Sequence, residues 1–164
     1  GGVGLTAIQY AQWVGAEIYA TAGSEEKREY LRSLGVRRIA TSRDGASFVE
    51  DMQRFLQEDG KEGLDVVLNS LTHDDYVPRS LALLRRGGKF MEIGKRDTWS
   101  QEQMRAARPD VLYAKIEADR IIMTEPWRYN GYLRRLLRRV EEGGLALINM
   151  HVFDGMDNGV AALQ

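Results

Sequence analysis

GGVGLTAIQYAQWVGAEIYATAGSEEKREYLRSLGV (1–36) decides the fold. Its glycines stand directly before a run with helical periodicity, in which Leu5, Ile8, Trp13 and Val14 recur at core-facing positions. Gly15 is placed to stop that helix. AEIYATA (16–22) is a short β-rich run. Ser24 then caps EEKREYLRSLG; with Lys27 three residues on there is no full capping box, and Glu25 and Glu26 suit a helix N-terminus. Leu31 and Leu34 are expected inside, and Gly35 ends the helix.

The cycle repeats downstream. RRIATS (37–42) reads as a strand, and FVEDMQRFLQ (48–57) as a helix with Phe48, Met52, Phe55 and Leu56 on one face. GLDVVLNSL (63–71) carries Val66, Val67 and Leu68 unbroken by charge, as in a strand of a parallel sheet covered on both faces. YVPRSLALLRRGG (76–88) reads as a helix ending in glycines, and KFMEIG (89–94) as the next strand. This alternation predicts an α/β fold, a doubly wound parallel sheet of the Rossmann-like kind. Beyond it, KRDTWSQEQMRAARPD (95–110) is polar with one or two helical turns, and VLYAKIEA (111–118) is a strand. WRYNGYLRRLLRRVEEGGL (127–145) is an amphipathic helix with Tyr132, Leu133, Leu136, Leu137 and Val140 facing in. LALINMHVF (145–153) looks extended, and DGMDNGVAALQ (154–164) starts like a helix. Neither repeat nor linker divides residues 1–164, which read as one subdomain. The sequence opens inside a glycine motif, without Met, so it is expected to be truncated at both ends, with the sheet's central strand ahead of Gly1.

Composition narrows the chemistry. The 164 residues hold 23 basic and 24 acidic side chains, a net charge of −1, and 43% are hydrophobic. That is a globular composition with no electrostatic case for nucleic acid or an anionic membrane. No cysteine is present, which removes disulfides, thiolate metal sites and cysteine nucleophiles, and fits a reducing, cytoplasmic setting. No signal peptide opens the sequence, and no apolar run approaches the ~18 residues of a membrane span. His73 and His151 lack metal-ligand spacing, so no metal site is expected.

The glycines carry the first functional signal. A Gly-rich turn at a helix N-terminus lets backbone N–H groups approach a pyrophosphate. In a G-x-G-x-x-G frame Gly1 and Gly4 are the second and third glycines, with Gly2 and Val3 between them. Half a fingerprint fits a plain tight turn equally well. About 20 residues on, where an acidic residue would hold a ribose 2′-hydroxyl, stands TAGSEEKR (21–28). Ser24 and Lys27 there suit a 2′-phosphate and favour NADPH over NADH; Lys27 and Arg28 also fit a solvated helix face. Ser42 and Arg43 close the strand at 37–42 and are placed for the adenosine phosphate, while Asn69, Ser70, Leu71 and Gly94 lie at strand ends where the nicotinamide belongs.

Taken in order, GGVGLTAIQYAQWVGAEIYATAGSEEKREYLRSLGV, SRD, GLDVVLNSL and GGKFMEIGKRD resemble the enoyl reductase domains of modular polyketide synthases and animal fatty acid synthase. These form part of the zinc-independent, quinone-reductase-like branch of the medium-chain dehydrogenase/reductase superfamily. The resemblance is continuous from 1 to about 97 and looser beyond. It implies NADPH-dependent reduction of a trans-2-enoyl thioester on an acyl carrier protein, within a multifunctional synthase. It also implies a GroES-like substrate subdomain supplied mostly by sequence ahead of Gly1, so the present residues alone are expected to be inactive. Lys95 matches the family's proton-donor lysine, and Glu117 stands where the family has an aspartate, with Asp119 two residues on and expected on the same side of a strand. By itself Lys95 also fits an exposed loop. A free-standing quinone oxidoreductase and a catalytically silent module remain alternatives, and a homodimer stays open. Asp74 and Asp75 in HDD (73–75) read as helix-capping residues, RRLLRR (134–139) as a solvated face or a surface for an acidic carrier protein, and Trp99 as a cover for the substrate channel or a packing residue.

Overall fold

The computed structural model describes residues 1–71 and 75–148. They form two compact units, residues 1–17 with 130 onward, and residues 18–129.

The first unit opens on α1 (Gly2–Trp13), with Gly1 as its N-cap. The glycines therefore build the first helical turn itself rather than a loop ahead of it. Of the four apolar residues expected to face inward, Ile8 alone is buried, while Trp13 and Val14 are exposed. Gly15 ends the helix at φ 70°, a left-handed conformation that glycine adopts without a Cβ penalty.

The second unit is built on parallel strands. β1 (Tyr19–Ala22) pairs with β2 (Arg38–Thr41) in register Ala22 to Thr41. Between them α2 (Glu25–Ser33) starts at Ser24, whose hydroxyl accepts the Lys27 N–H at 3.4 Å, and stops at Gly35 with φ 85°. Helix α3 (Gly45–Glu58) starts at Asp44, whose carboxylate accepts the Ser47 N–H at 2.7 Å. Phe48, Met52, Phe55 and Leu56 on α3 are all buried, as their spacing requires, in a cluster with Ala40, Tyr76 and Leu83.

β3 (Leu64–Asn69), β4 (Leu84–Glu92) and β5 (Leu112–Lys115) form a second parallel sheet in the order β3-β4-β5. Parallel pairing was expected; one continuous sheet was not found. β1 and β3 do not pair among the described residues. Val66 and Leu68 are exposed, contrary to the expectation of a strand covered on both faces.

Helix α4 (Tyr76–Ala82) is shorter than the expected 76–88. Leu64 donates its N–H to Leu83 O at 2.8 Å and pairs with Leu84, drawing 84–86 into β4. Gly63 permits this approach, since a Cβ there would lie 2.6 Å from the Arg85 nitrogen. Helix α5 (Gln101–Ala107) carries a capping box between Ser100 and Gln103. Val77, Leu81, Leu84, Phe90, Met104 and Tyr113 form the second core cluster, against which Trp99 packs. Each such side chain stabilises the fold by roughly 1.5–3 kcal/mol.

Helix α6 (Ala118–Thr124) follows β5, and α7 (Pro126–Glu141) runs out of the second unit into the first. No residue of α7 is buried. Leu133, Leu136, Leu137 and Val140, expected inside, are exposed because nothing in their own unit covers that face. Within the first unit, the Arg139 guanidinium lies 3.8 Å from the centroid of the Trp13 ring, and Gln9 accepts the Ala146 N–H at 2.7 Å. Among the described residues no helix is long and apolar enough to cross a membrane. His73, Asp74 and His151, the end of the run 145–153 and the expected terminal helix lie outside the described residues.

Candidate active site

Parallel strands bring their carboxyl ends to one edge, so the residues just after β1 and β2 are neighbours. The Ser42 N–H donates to Ala22 O at 3.3 Å, and the Arg43 Nε donates to Gly23 O at 3.2 Å. Gly23 leaves room for that arginine: a Cβ there would meet Arg43 Nε at 2.6 Å and Ser42 Oγ at 3.1 Å. Ser24 starts α2 on the same rim, so the positive end of the α2 dipole, Lys27, Ser42 and Arg43 are gathered at one place. Arg43 and Lys27 form no ion pair among the described residues. Two cations, two hydroxyls and a helix N-terminus suit a phosphate ester. Gly1, Gly2, Val3 and Gly4 belong to the first unit, where the N–H groups of the first α1 turn have no intrahelical acceptor. A Cβ on Gly1 or Gly4 would meet nothing within 4 Å, so the space over that turn is open. Each set by itself offers chemistry that suits a phosphate group.

The ends of β3, β4 and β5 form the other part of the rim. Asn69 is buried, Ser70 exposed and Leu71 half-buried against the first core cluster. Just past β4, a recess of about 230 Å³ is lined by Gly94, Lys95, Thr98, Lys115, Ile116, Glu117 and Asp119. Lys95 Nζ lies 3.0 Å from Asp119 Oδ2, and Lys115 Nζ donates to Thr98 Oγ1 at 2.7 Å. The Lys95 hydrogen bond holds the Asp119 carboxyl below its ordinary range, with support from backbone N–H groups at the start of α6. All three residues expected to carry the chemistry, Lys95, Glu117 and Asp119, thus line one recess.

Their local structure differs from the expectation. β5 ends at Lys115, so Glu117 is the N-cap position of α6 and Asp119 lies in its first turn. The strand ends because Ile116 N–H is the last to reach β4, at Glu92 O, 2.7 Å. Helix geometry, not strand alternation, turns Asp119 toward Lys95, whereas Glu117 pairs with Arg120 at 3.1 Å. Trp99 packs rather than covering the recess, and its carbonyl accepts the Tyr113 hydroxyl at 2.8 Å. Burial pushes that phenol up to about 12, with the charge of Glu92 adding to it. Asp75 pairs with Arg79 at 2.6 Å and makes no side-chain cap.

One buried polar residue was not anticipated. Glu92 is 1% exposed and accepts hydrogen bonds from Asn69 Nδ2 at 2.7 Å and from the Gly94 N–H at 2.6 Å. Its signal in the sequence was a charge inside the apolar string KFMEIG (89–94). Among the described residues no three His, Cys, Asp or Glu side chains are grouped to hold a metal ion.

Residues 2–138 match the zinc-binding dehydrogenase family. A phenolphthiocerol/phthiocerol polyketide synthase of Mycobacterium tuberculosis is 34% identical over 155 residues, which take in 93% of this chain and 7% of the synthase polypeptide. The crystal structure of the CurK enoyl reductase superposes with a TM-score of 0.84 at 39% identity, covering 93% of this chain and 44% of that one. The nucleotide-binding subdomain of the enoylreductase domain of PpsC from Mycobacterium tuberculosis gives a TM-score of 0.75 at 34% identity, covering 90% of this chain and 81% of that one. The chain therefore spans a small part of the synthases it matches and under half of the CurK enoyl reductase chain.

Proposed function

We propose, for a chain that belongs to the zinc-binding dehydrogenase family and within it to the enoyl reductases of polyketide synthases, that it is the cofactor-binding part of an NADPH-dependent reductase whose substrate is a trans-2-enoyl thioester on an acyl carrier protein. The observation that carries this reading is the recess in which Lys95 meets Asp119 at 3.0 Å beside Gly94 and Glu117. The family's name mentions zinc, but among the described residues no three His, Cys, Asp or Glu side chains are grouped as a zinc site needs, and no step here uses one.

The first-turn N–H groups of α1 at Gly2, Val3 and Gly4 suit the pyrophosphate. Ser24, Lys27, Ser42 and Arg43 suit the 2′-phosphate, and Asn69, Ser70, Leu71 and Gly94 the nicotinamide side of the rim. When bound, NADPH supplies a hydride to the β-carbon of the enoyl group. The Lys95 ammonium holds a proton for the α-carbon and offers positive charge to the enolate oxygen that develops. Asp119 restrains that ammonium. Both side chains are largely exposed, so the pair adds little to stability, and its value lies in where it places the charge. Glu117 lies beside the pair with an extra methylene relative to the family's aspartate.

The test uses the full-length protein, with NADPH and a short 2-enoyl thioester of N-acetylcysteamine. Lys95→Ala should slow turnover while leaving the NADPH dissociation constant unchanged. Unchanged turnover would remove Lys95 from the reaction, and binding of NADPH without any turnover by the unaltered protein would favour a silent module.

A further inference from the structure

Glu92 is a carboxyl group that the proposed reaction does not use and that the fold buries almost completely. It ends β4 at 1% exposure, two residues after the fully buried Phe90. Burying such a group is unfavourable unless hydrogen bonds replace its water. No cation pairs with it among the described residues, which separates it from an ordinary structural ion pair. Both of its oxygens are spent on the rim. Oε2 accepts from Asn69 Nδ2 at 2.7 Å, while the same Nδ2 also donates to Leu71 O at 3.2 Å. Oε1 accepts from the Gly94 N–H at 2.6 Å. The backbone around it is tied in the same way, with Ile93 N–H donating to Asn69 O at 2.9 Å and Ile116 N–H to Glu92 O at 2.7 Å.

Gly94 immediately precedes Lys95. With its N–H drawn back to the Glu92 carboxyl, the peptide between Ile93 and Gly94 has one orientation, and the chain leaves the strand in one direction. Without that acceptor the turn keeps the backbone bond from Ile93 to Asn69 O but loses the one at Gly94. We propose that Glu92 is a positioning residue of the reductase: through Gly94 it fixes where Lys95 stands, and through Asn69 it ties the end of β3 to the same point. This rests on the reading of Lys95 as the proton-holding group.

The experiment compares unaltered full-length protein with Glu92→Gln, Lys95→Ala and the double variant, using NADPH and the N-acetylcysteamine enoyl thioester. Glu92→Gln keeps one acceptor and presents a donor to groups that already donate. It should lower kcat about tenfold, up to the roughly 100-fold that a misplacement of about 1 Å costs. The solvent deuterium isotope effect on kcat should rise, and in the Lys95→Ala background the same change should alter kcat by less than about twofold. Independently of turnover, hydrogen exchange of the peptide spanning 92–96 should accelerate without cofactor present. Should the glutamine variant not fold, Glu92→Asp withdraws the carboxylate from Gly94 and is read in the same way. Equal losses from Glu92→Gln in both backgrounds, with an unchanged isotope effect, would overturn the positioning role while leaving Lys95 in place. Wild-type turnover by Lys95→Ala would overturn both, and unchanged exchange at 92–96 would show that Glu92 does not hold the turn.

Discussion

Gly23→Ala separates cofactor choice from folding. Gly23 does not have a positive φ, so alanine fits its backbone. The added Cβ would lie 2.6 Å from Arg43 Nε, 3.1 Å from Arg43 Cζ and 3.1 Å from Ser42 Oγ. The 2.6 Å contact is not tolerated, and the group that yields is the end of a flexible, exposed side chain. The fold is therefore spared, and the melting temperature should move by a few degrees at most. The guanidinium must leave, and its 3.2 Å hydrogen bond to Gly23 O goes with it. A hydrogen bond between charged groups contributes about 1.5–3 kcal/mol, and exposure reduces this toward about 1 kcal/mol. That is roughly a fivefold loss in NADPH affinity. NADH lacks the 2′-phosphate, so its affinity should stay within about twofold. Fluorescence titration of the full-length protein with each nucleotide reads both numbers. Equal weakening of the two cofactors, or no change in either, would refute the placing of Arg43 at the 2′-phosphate.

Other consequences follow from the same packing. Lys27→Ala should weaken NADPH severalfold and NADH little in the same titration, since Ser24, not the Lys27 side chain, caps α2; parallel losses would make the lysine structural. Phe90→Ala removes a fully buried ring from the second core cluster and should cost about 3–5 kcal/mol in denaturant unfolding, with a loss below about 1 kcal/mol contradicting that core. The Arg108 guanidinium and the Gly87 N–H hold the Asp110 carboxyl well below its ordinary value of 3.8. Because the folded value is the lower one, this contribution is complete above about 3.8 and is lost as pH falls through the folded value. Asp110→Asn should therefore lower the melting temperature at neutral pH and flatten its fall below about pH 4; an unchanged acid limb would refute this.

Elements whose periodicity is satisfied locally were legible in the sequence. The α3 stripe of Phe48, Met52, Phe55 and Leu56 is buried as written, because β2 and α4 supply its partners within the same unit. The caps at Ser24 and Asp44 and the stops at Gly15 and Gly35 are properties of single residues and their neighbours. Where burial depends on distant partners, periodicity misleads. Val66 and Leu68 look like core but lie exposed on β3, which pairs with β4 alone among the described residues, and the apolar stripe of α7 is exposed in its own unit. The early end of α4 follows from a long-range approach of Gly63 to Arg85, which helix periodicity does not encode. In the site, Lys95 and Asp119 do meet, but for a different local reason than strand alternation, since a helix turn brings them together. Glu92 escapes notice in the sequence because one charged residue in a strand reads as a surface position until its partners Asn69 and Gly94 are seen.

If the Lys95 recess serves reduction of an enoyl thioester, the proton delivered there must end on the α-carbon. Running the full-length protein in deuterated water with NADPH and a 2-enoyl thioester, then locating deuterium in the product, reads that transfer. The expected result is a saturated thioester formed in equal amount to the NADPH consumed, with solvent deuterium at the α-carbon alone, and a strong slowing in Lys95→Ala. Consumption of NADPH with a quinone but not with the thioester, or deuterated product formed at the same rate by Lys95→Ala, would show that the recess does other work.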